Sequence, residues 1–504
     1  MAAVAVEANP AWTGRQLLIL ATVQVATLLF GMTTTIANVL LPQMRGALSA
    51  TPDQIAWVVT FNIVATAVAT PITGWLAGRL GWRTVMVGSV LGFTAASVAC
   101  GLAGSLEALV LFRVVQGAMG APIMPLGQAI LQANFPKSQQ ALVLMIWGVG
   151  GVFGPVLGPI VGGAIAEAYD WRWAFLAPVP FGALAAAGAF AALTDAERRE
   201  TMRLDWTGFI ALAVAVAGIQ LMLDRGQRLD WFDSAEIVVE ATVAAIAFWI
   251  FVVHSLTARQ PFLDLRILLD RNFAIGVLFA FAFGMLMFTP MVLFPPLLQE
   301  LRGFPDSIIG QLIAARGLGN WASFFIVVPM TRRWPRATVA IGFACQAVAG
   351  WGMAQIDINV TFWEVFWTNA VQGFGVGLCY TSMTVIAFAT LPTRYLMEGN
   401  SLFHLMRNFG SSVFISMAVA LYVRSSAENY ADLTQHVSPF NEAFLYPFLA
   451  GRWSMEETTG LASLSREVAR QAQMIGYINA FHLFALCAAA VIPLLLFVRR
   501  PRGA

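Results

Sequence analysis

The sequence predicts an all-α integral membrane protein with fourteen transmembrane helices. Of its 504 residues, 59% are hydrophobic and only 11% are charged, whereas about a quarter of a soluble protein is charged. Fourteen apolar stretches reach the roughly 20 residues that a helix needs to cross a bilayer. Their middles contain three arginines, Arg113, Arg316 and Arg407, and no carboxylate. Because charge inside the hydrocarbon is expensive and usually functional, this imbalance indicates a protein that moves a solute.

The predicted spans fall into a group of six, a pair and a second group of six. The first six are Leu17–Leu41, Ile55–Ala77, Thr84–Gly104, Leu106–Ala133, Gln139–Ala166 and Trp173–Leu193. The pair, which follows the charged stretch Thr194–Arg203, is Asp205–Leu223 and Ala235–His254. The last six are Phe273–Leu298, Ile308–Met330, Thr338–Gln355, Phe362–Leu391, Asn400–Val423 and Ile475–Val498. The first stretch exceeds the ~7–15 apolar residues of a signal peptide, so we expect it to be retained.

The basic residues are distributed unequally between the two sides of this arrangement. With the N-terminus inside, seventeen of the 29 lysines and arginines lie in inner loops and tails, and nine lie outside. The positive-inside rule therefore predicts an even number of spans and two cytoplasmic termini. The net charge of +2 suggests no nucleic-acid partner.

An internal repeat links the two groups of six. Val115-Gln116-Gly117 recurs as Val371-Gln372-Gly373, and the same offset of 256 carries Pro136 onto Pro392 and Gly154 onto Gly410. Repeated halves are typical of secondary transporters. We therefore predict a six-helix bundle over 1–193, a linker and extra helix pair over 194–271, and a second six-helix bundle over 272–504. The second bundle includes an outer loop, 424–474. The part from Phe444 to Asn479 is expected to be partly helical, meeting the membrane surface or a partner, or to be a solvated loop.

Several other classes of protein are not favoured by the residues present. Lys137, the only lysine, follows Pro136, so the chain has no Gly-Lys-Ser/Thr loop for ATP phosphates. Energy then comes from an ion gradient or the substrate's own gradient, unless another subunit supplies it. The four histidines and four cysteines are scattered without acid/base or metal spacing, so neither an enzyme nor a metal or other cofactor is expected. Solute uptake remains an alternative to export.

Two glycine-containing segments predict tight turns and moving helices. In the loop from Gly74 to Arg83, Gly74 and Gly81 permit a turn, while Arg79 and Arg83 could hold helix ends or lipid phosphates; an ordinary basic loop is the alternative. The fifth span carries two Gly-Pro pairs one turn apart. These are Gly154-Pro155 and Gly158-Pro159. Small residues allow close approach and prolines allow bending, so another helix is expected to slide or rock here.

The polar residues inside the spans are the candidate site. Arg113 lies two turns into the fourth span with Gln116 one turn later, and its repeat position is Asn369. It could handle substrate, or it could be satisfied by carbonyls and amides. Arg316 and Arg407 could instead have a structural role, with each side chain reaching the end of a helix. His404 lies on the same helix face as Arg407, and a hydrogen bond between helices is the simpler explanation of this residue.

These motifs together resemble the major facilitator superfamily, in its fourteen-helix drug:proton antiporter branch, over nearly the whole chain. The motifs that carry the resemblance are Thr35–Pro42, Gly74–Arg83, Arg113–Gly117 and Gly154–Pro159, and more narrowly Leu221–Gly226, Leu229–Phe232, Leu298–Glu300 and Ser438–Asn441. The resemblance implies export of amphipathic compounds by alternating access, driven by inward proton flow. It also implies an inner-membrane location, a periplasmic adaptor protein and an outer-membrane channel. The residues expected to handle substrate or protons are Arg113, Thr33, Asn38, Gln116, Asn369, Gln372, Arg316, His404 and Arg407.

Two departures from the family pattern sharpen the expectation. The family usually has an aspartate where this chain has Thr33, and often one where it has Gly78. The nearest substitutes for the coupling carboxylate are Asp224, Glu240 and Glu300, all toward the outer ends of their spans. A buried cation without a partner is costly, so Arg113 could be partnered by an anionic substrate. The competing hypothesis is that Asn, Gln and water satisfy it while cationic or neutral drugs pass.

Overall fold

The computed structural model describes residues 12–195, 204–438, 453 and 457–498, and every regular element in these ranges is helical. The first nine helices are α1 (Gly14–Ala47), α2 (Pro52–Ala69), α3 (Thr73–Leu80), α4 (Trp82–Gly101), α5 (Leu106–Gly120), α6 (Ile123–Asn134), α7 (Lys137–Ala168), α8 (Trp171–Leu176) and α9 (Val179–Ala192). The next nine are α10 (Trp206–Arg225), α11 (Ala235–Thr257), α12 (Arg271–Met287), α13 (Thr289–Pro296), α14 (Asp306–Arg333), α15 (Pro335–Ala354), α16 (Phe362–Phe388), α17 (Leu396–Gln435) and α18 (Thr458–Val491). A π-helical turn, Leu297–Leu301, follows α13.

The number of membrane crossings agrees with the sequence prediction. Thirteen helical segments of the described chain are long and apolar enough to span a bilayer, and a fourteenth forms if α2 and α3, which meet at a 55° bend, are one span. A proline lies at the break between α2 and α3 (Pro71), between α5 and α6 (Pro122) and between α8 and α9 (Pro178). Proline removes a backbone donor and clashes with the preceding turn, which accounts for these breaks.

The chain divides into two compact units, Met1–Leu204 and Asp205–Ala504. The extra helix pair, α10 and α11, belongs to unit 2, where α10 contacts α17. Gln220 Nε2 donates to Ser412 Oγ (2.9 Å), and Ser416 Oγ donates to the carbonyl oxygen of Leu223 (2.8 Å). The domain boundaries predicted at 193 and 271 stay predictions.

Glycines allow close helix contact at matching places in both units. In unit 1, a Cβ added to Gly31 of α1 would lie 3.3 Å from Gly154 Cα of α7. In unit 2, a Cβ added to Gly410 of α17 would meet the carbonyl oxygen of Phe281 in α12. Since Gly154 and Gly410 are related by the sequence offset of 256, the repeated glycines serve repeated helix crossings.

The last two long helices extend well beyond the predicted spans. α17 continues past Val423, where the predicted span ends, to Gln435, and α18 begins at Thr458, before the predicted span start at Ile475. The early start of α18 agrees with the expectation that the segment from Phe444 to Asn479 is partly helical. Contacts across the two helices include the stacked rings of Tyr422 and Tyr477, 4.2 Å apart. Hydropathy detects burial in lipid rather than helicity, so it misses helix that continues into water. Residues 439–452 and 454–456 of the predicted outer loop lie outside the described residues.

Candidate transport site

Arg113 lies in the interior of unit 1 and is held by neutral acceptors. Its side chain is on α5 and the residue is 1% exposed. Nε donates to the carbonyl oxygen of Val58 (3.1 Å), and Nη1 donates to that of Thr33 (3.5 Å) and to Gln116 Oε1 (2.5 Å). Nη2 has no acceptor among the described residues, and no carboxylate of the described chain pairs with this arginine. The site therefore holds a permanent charge that is solvated by dipoles but not neutralised.

The groups around Arg113 connect four helices of unit 1. Gln116 extends the hydrogen-bond network to α4, because its Nε2 donates to Ser97 Oγ (2.6 Å). Asn62 of α2 donates from Nδ2 to the carbonyl oxygen of Arg113 (2.8 Å). Together with the Thr33 carbonyl of α1, these bonds fix the position of the guanidinium in a medium where hydrogen bonds are strengthened.

The structure brings Thr33 to Arg113 but does not bring Asn38 there. Thr33 is buried, and its hydroxyl has no hydrogen-bond partner among the described residues. Asn38 lies further along α1 and is exposed. The position where the family usually has an aspartate is thus next to the arginine, and the threonine there supplies only its backbone oxygen.

The α1–α7 crossing explains the two Gly-Pro pairs. Pro159 has no N–H for the carbonyl oxygen of Pro155, four residues earlier in α7. Thr35 of α1 supplies the missing donor, with Oγ1 3.0 Å from that oxygen. A Cβ on Gly158 would meet the carbonyl oxygen of Met32, so the two backbones are in direct contact. The crossing is therefore built on close backbone contact at glycine and on the hydrogen bond from Thr35. Sliding or rocking of the helices here stays a prediction.

The basic loop between the second and third spans turns at Gly81. This residue has φ +93°, a conformation that glycine adopts without strain. Asp195, after α9, packs against it and accepts hydrogen bonds from Thr84 N (3.1 Å) and Oγ1 (3.0 Å), which caps α4. Arg79 lies over the Trp75 ring at 5.5 Å, and Arg83 lies over the Phe190 ring at 3.8 Å. Gly74, earlier in this loop, is buried in α3.

Unit 2 contains a second buried arginine in a different situation. Arg316 on α14 is 1% exposed, and none of its three guanidinium nitrogens has an acceptor among the residues that the structure describes. Its backbone is pressed against Gly373 of α16. The neighbouring Gln372 donates from Nε2 to the carbonyl oxygen of Leu286 (3.2 Å), and Asn369 donates to its own helix at the carbonyl oxygen of Val365 (2.9 Å).

Arg407 and His404 form a separate cluster on α17. Arg407 donates from Nη2 to Asn408 Oδ1 (3.1 Å) and shares a hydrogen bond with Tyr380 of α16. His404 is buried one turn earlier, with its ring 6.0 Å from that of Phe403. The prediction that His404 and Arg407 share a face of one helix agrees with this arrangement.

The three candidate coupling acids lie in different surroundings. Asp224 and Glu300 are exposed. Glu240 on α11 is half-buried and accepts from Arg225 Nη1 at 2.8 Å, while its other oxygen has no partner among the described residues. Of the three, Glu240 is therefore the carboxylate most removed from water. The described chain shows no cluster of His, Cys, Asp and Glu that could hold a metal ion.

Sequence reasoning missed three polar residues that lie beside the predicted ones. They are Asn62, Asn320 and Tyr380. Each is a polar side chain within an otherwise apolar stretch of its span, which was the signal available. Asn320 also lies one helical turn after Arg316.

The described chain is helical in all its regular elements, and its thirteen to fourteen spans, repeated helix crossings and buried arginines are those of a multi-pass membrane protein. Residues 24–424 match the family model of the Major Facilitator Superfamily, and the chain belongs to that family.

Relatives match along nearly the whole length. The multidrug export protein EmrB of Escherichia coli (strain K12) is 32% identical over 501 residues, with 97% of each chain covered. The fatty acid resistance protein FarB of Neisseria gonorrhoeae is 30% identical over 483 residues, with 93% of each covered. The crystal structure of the human organic anion transporter MFSD10 aligns with a TM-score of 0.62 over 95% of this chain and 99% of that chain, at 13% identity. This last likeness concerns the fold.

Proposed function

We propose that this protein exports amphipathic compounds, among them fatty-acid-like anions and drugs, across the inner membrane by alternating access, driven by inward proton flow. The observation that carries the proposal is Arg113, a permanent cation inside a membrane bundle without a carboxylate partner in the described chain. Two of its nitrogens are used by neutral acceptors. The remaining Nη2 is available to an acceptor on a substrate.

The names of the relatives support the same substrate range. One is a multidrug export protein and one a fatty acid resistance protein. An amphipathic acid has an anionic head group that is complementary to a buried cation and a tail that is compatible with an apolar interior. We further propose that both termini are cytoplasmic, as the excess of inner basic residues predicts. A periplasmic adaptor protein and an outer-membrane channel would complete the export route.

Proton coupling is assigned to Glu240 in this proposal. It is the least exposed of the three candidate acids, and only one of its oxygens is bonded to Arg225. Glu236 also pairs with Arg225 but is largely exposed, so Glu236→Gln is the matched control. We expect Glu240→Gln to abolish substrate-dependent proton flux and Glu236→Gln to retain it. Equal flux in the two variants would remove Glu240 from the coupling path.

The function itself is tested by proton flux in proteoliposomes that contain the purified protein and an internal pH dye. Addition of decanoate to liposomes with an imposed pH gradient is expected to accelerate proton movement above that of empty liposomes. Empty liposomes are essential as the control, because decanoic acid crosses bilayers unaided. No difference between the two, for decanoate and for a cationic probe alike, would refute proton-coupled transport.

The role of Arg113 is tested by comparing Arg113→Ala with Arg113→Lys. Alanine removes the charge, and lysine keeps the charge but cannot reach Val58, Thr33 and Gln116 together. We expect decanoate efflux to fall at least tenfold in Arg113→Ala and by less in Arg113→Lys. Unchanged efflux in both variants would exclude a role of this arginine in moving anions.

A further inference from the structure

The guanidinium of Arg316 is the least compensated charge in the membrane interior of unit 2. All three of its nitrogens lack an acceptor among the described residues, although the residue is 1% exposed. A buried cation that has lost water and gained no partner is strongly destabilising. Arg113 in unit 1 is equally buried but has three hydrogen bonds to neutral acceptors.

The equivalent position in unit 1 is occupied by an uncharged residue whose hydrogen bond is made. A Cβ on Gly117 would meet the carbonyl oxygen of Asn62, and a Cβ on the repeat-related Gly373 would meet the carbonyl oxygen of Arg316. Asn62 and Arg316 thus lie at matching crossings, α2 with α5 and α14 with α16. The Asn62 amide bonds to α5, whereas the Arg316 guanidinium bonds to nothing that the structure describes.

The two units therefore carry their arginine on opposite helices of the same pair. Arg113 lies on α5, and its repeat position on α16 is Asn369, whose amide returns to its own helix (2.9 Å). The crossing in unit 1 shows that an asparagine suffices for packing at the position of Arg316. Packing alone consequently gives no reason for a charge there.

The polar groups on neighbouring turns do not bond to the Arg316 guanidinium. Asn320, one turn further along α14, is 2% exposed, and its Nδ2 also lacks an acceptor in the described chain. The hydroxyl of Ser323 donates to the carbonyl oxygen of Asn320 (2.6 Å). Gln372 donates from Nε2 to Leu286, and its Oε1 has no partner among the described residues, so it leaves the guanidinium unbonded. A planar guanidinium whose N–H donors are all unused is complementary to a carboxylate or sulfonate.

We propose that Arg316, together with Asn320, binds the anionic head group of an amphipathic substrate. The proposal rests on the transport function proposed above, which supplies the substrate class, and it adds to Arg113 of unit 1 a second contact for the head group, in unit 2. Carboxylate and sulfonate head groups share this chemistry, and both are included in the test.

The test measures binding to the full-length protein in lipid nanodiscs, with empty nanodiscs subtracted. Four probes share one decyl chain: decanoate, decanesulfonate, decanol and decyltrimethylammonium. We expect the unaltered protein to bind the two anions at least tenfold more tightly than decanol. Arg316→Asn, chosen because unit 1 builds the same crossing with asparagine, should reduce this preference severalfold without weakening decyltrimethylammonium binding. Arg302→Gln, which removes an exposed charge from the same unit, should preserve the preference.

Two results would overturn the proposal. One is equal binding of decanoate and decanol by the unaltered protein, and the other is an anion preference that is undiminished in Arg316→Asn. If Arg316→Asn cannot be purified as a monodisperse protein, Arg316→Lys replaces it, and a preference undiminished by loss of the planar fork would also count against the site. An anion preference that depends on Arg316 in a protein without proton-coupled transport would refute the proposed function and leave the site standing. Proton-coupled transport that is unchanged by substitution of Arg316 would refute the site and leave the proposed function standing.

Discussion

The side-chain amide of Asn62 donates a hydrogen bond to the backbone carbonyl oxygen of Arg113 across 2.8 Å. This contact joins α2 to α5 at the level of the buried guanidinium, which in turn donates to the carbonyl oxygens of Val58 and Thr33. Three helices of unit 1 are thereby connected through one arginine. No carboxylate of the described chain takes part in these contacts, so the charge of Arg113 is solvated by neutral groups alone.

Replacing Thr33 with aspartate should restore an ion pair that the chain lacks. The Thr33 carbonyl oxygen lies 3.5 Å from Arg113 Nη1, and the Thr33 hydroxyl and Arg113 Nη2 are both without partners among the described residues. Hydrogen bonds to charged groups contribute about 1.5–3 kcal/mol. At neutral pH we therefore expect Thr33→Asp to have a higher melting temperature than its neutral isostere Thr33→Asn.

This difference should depend on pH in a defined direction. The ion pair requires an ionised carboxylate, so its stabilising effect is expected at neutral pH and should be lost where acid protonates the carboxylate. Melting curves of the two variants between pH 7.5 and pH 4 provide the measurement. Indistinguishable curves at neutral pH would show that the side chain at position 33 does not reach Arg113.

The hydroxyl of Thr35 should contribute to thermal stability, whereas that of its neighbour Thr34 should not. Thr35 Oγ1 donates to the carbonyl oxygen of Pro155, which Pro159 leaves without its helical donor. Thr34 Oγ1 only returns to Gly31 of its own helix. A buried acceptor left unpaired costs about 1–3 kcal/mol, so Thr35→Val should lower the melting temperature by several degrees and Thr34→Val should not. Equal effects would mean that the Pro155 carbonyl is satisfied in another way.

A methyl group at Gly154 should obstruct the α1–α7 crossing. An added Cβ would lie 2.8 Å from the carbonyl oxygen of Leu28 and 3.1 Å from Gly31 Cα, which are backbone atoms that cannot move aside locally. At Gly151, on the same helix, the nearest atom is Met124 Cε at 4.0 Å. Overpacking typically costs about 1–3 kcal/mol. We expect Gly154→Ala to reduce both thermal stability and transport rate, while Gly151→Ala keeps both. Transport by Gly154→Ala at the normal rate would show that close contact of α1 and α7 is not needed for transport.

Asp205 should stabilise unit 2 only above acidic pH. Burial raises the pKa of this carboxyl, but hydrogen bonds from Gly208 N (3.0 Å), Phe262 N (3.0 Å) and His254 Nε2 (2.8 Å) outweigh burial, so the pKa lies below its ordinary value. A group with a lowered folded-state pKa contributes stability that is present above its unfolded pKa and is lost as the pH falls through the folded one. Asp205→Asn should therefore melt earlier than the unaltered protein at pH 7, and the gap should close below about pH 4. The exposed Asp233, changed to Asn, is the control; a gap that persists in acid would show that the charge of Asp205 is not the cause.

The sequence alone predicted the fold class and the approximate number of spans, because a bilayer imposes length and hydropathy on every crossing helix. It also located the repeat, since the glycines at positions 154 and 410 are required by backbone contacts that no larger residue permits. The extension of α17 to Gln435 was not predicted, whereas the start of α18 at Thr458 lies in the segment from Phe444 to Asn479 that was expected to be partly helical. Outside the lipid, a helix is free to carry polar residues such as the ion pair Arg424–Glu428, and hydropathy then gives no signal.

The polar site was predicted as a set of residues but not as a set of contacts. Spacing along one helix placed Gln116 near Arg113, and the two side chains are bonded. Partners on other helices, such as Asn62, depend on the rotation of each helix about its axis, which the nearly uniform apolar composition of these spans does not specify. The different states of Arg113 and Arg316, one bonded and one unbonded in the described chain, required coordinates for the same reason.

The most direct measurement of the central claim is the movement of radiolabelled decanoate in cells that are loaded with it and then given an imposed inward proton gradient. Export predicts that cells producing the protein lose the probe faster than cells without it, and that collapsing the gradient removes the difference. Faster accumulation of the probe in the producing cells, or loss that is indifferent to the gradient, would contradict proton-driven export.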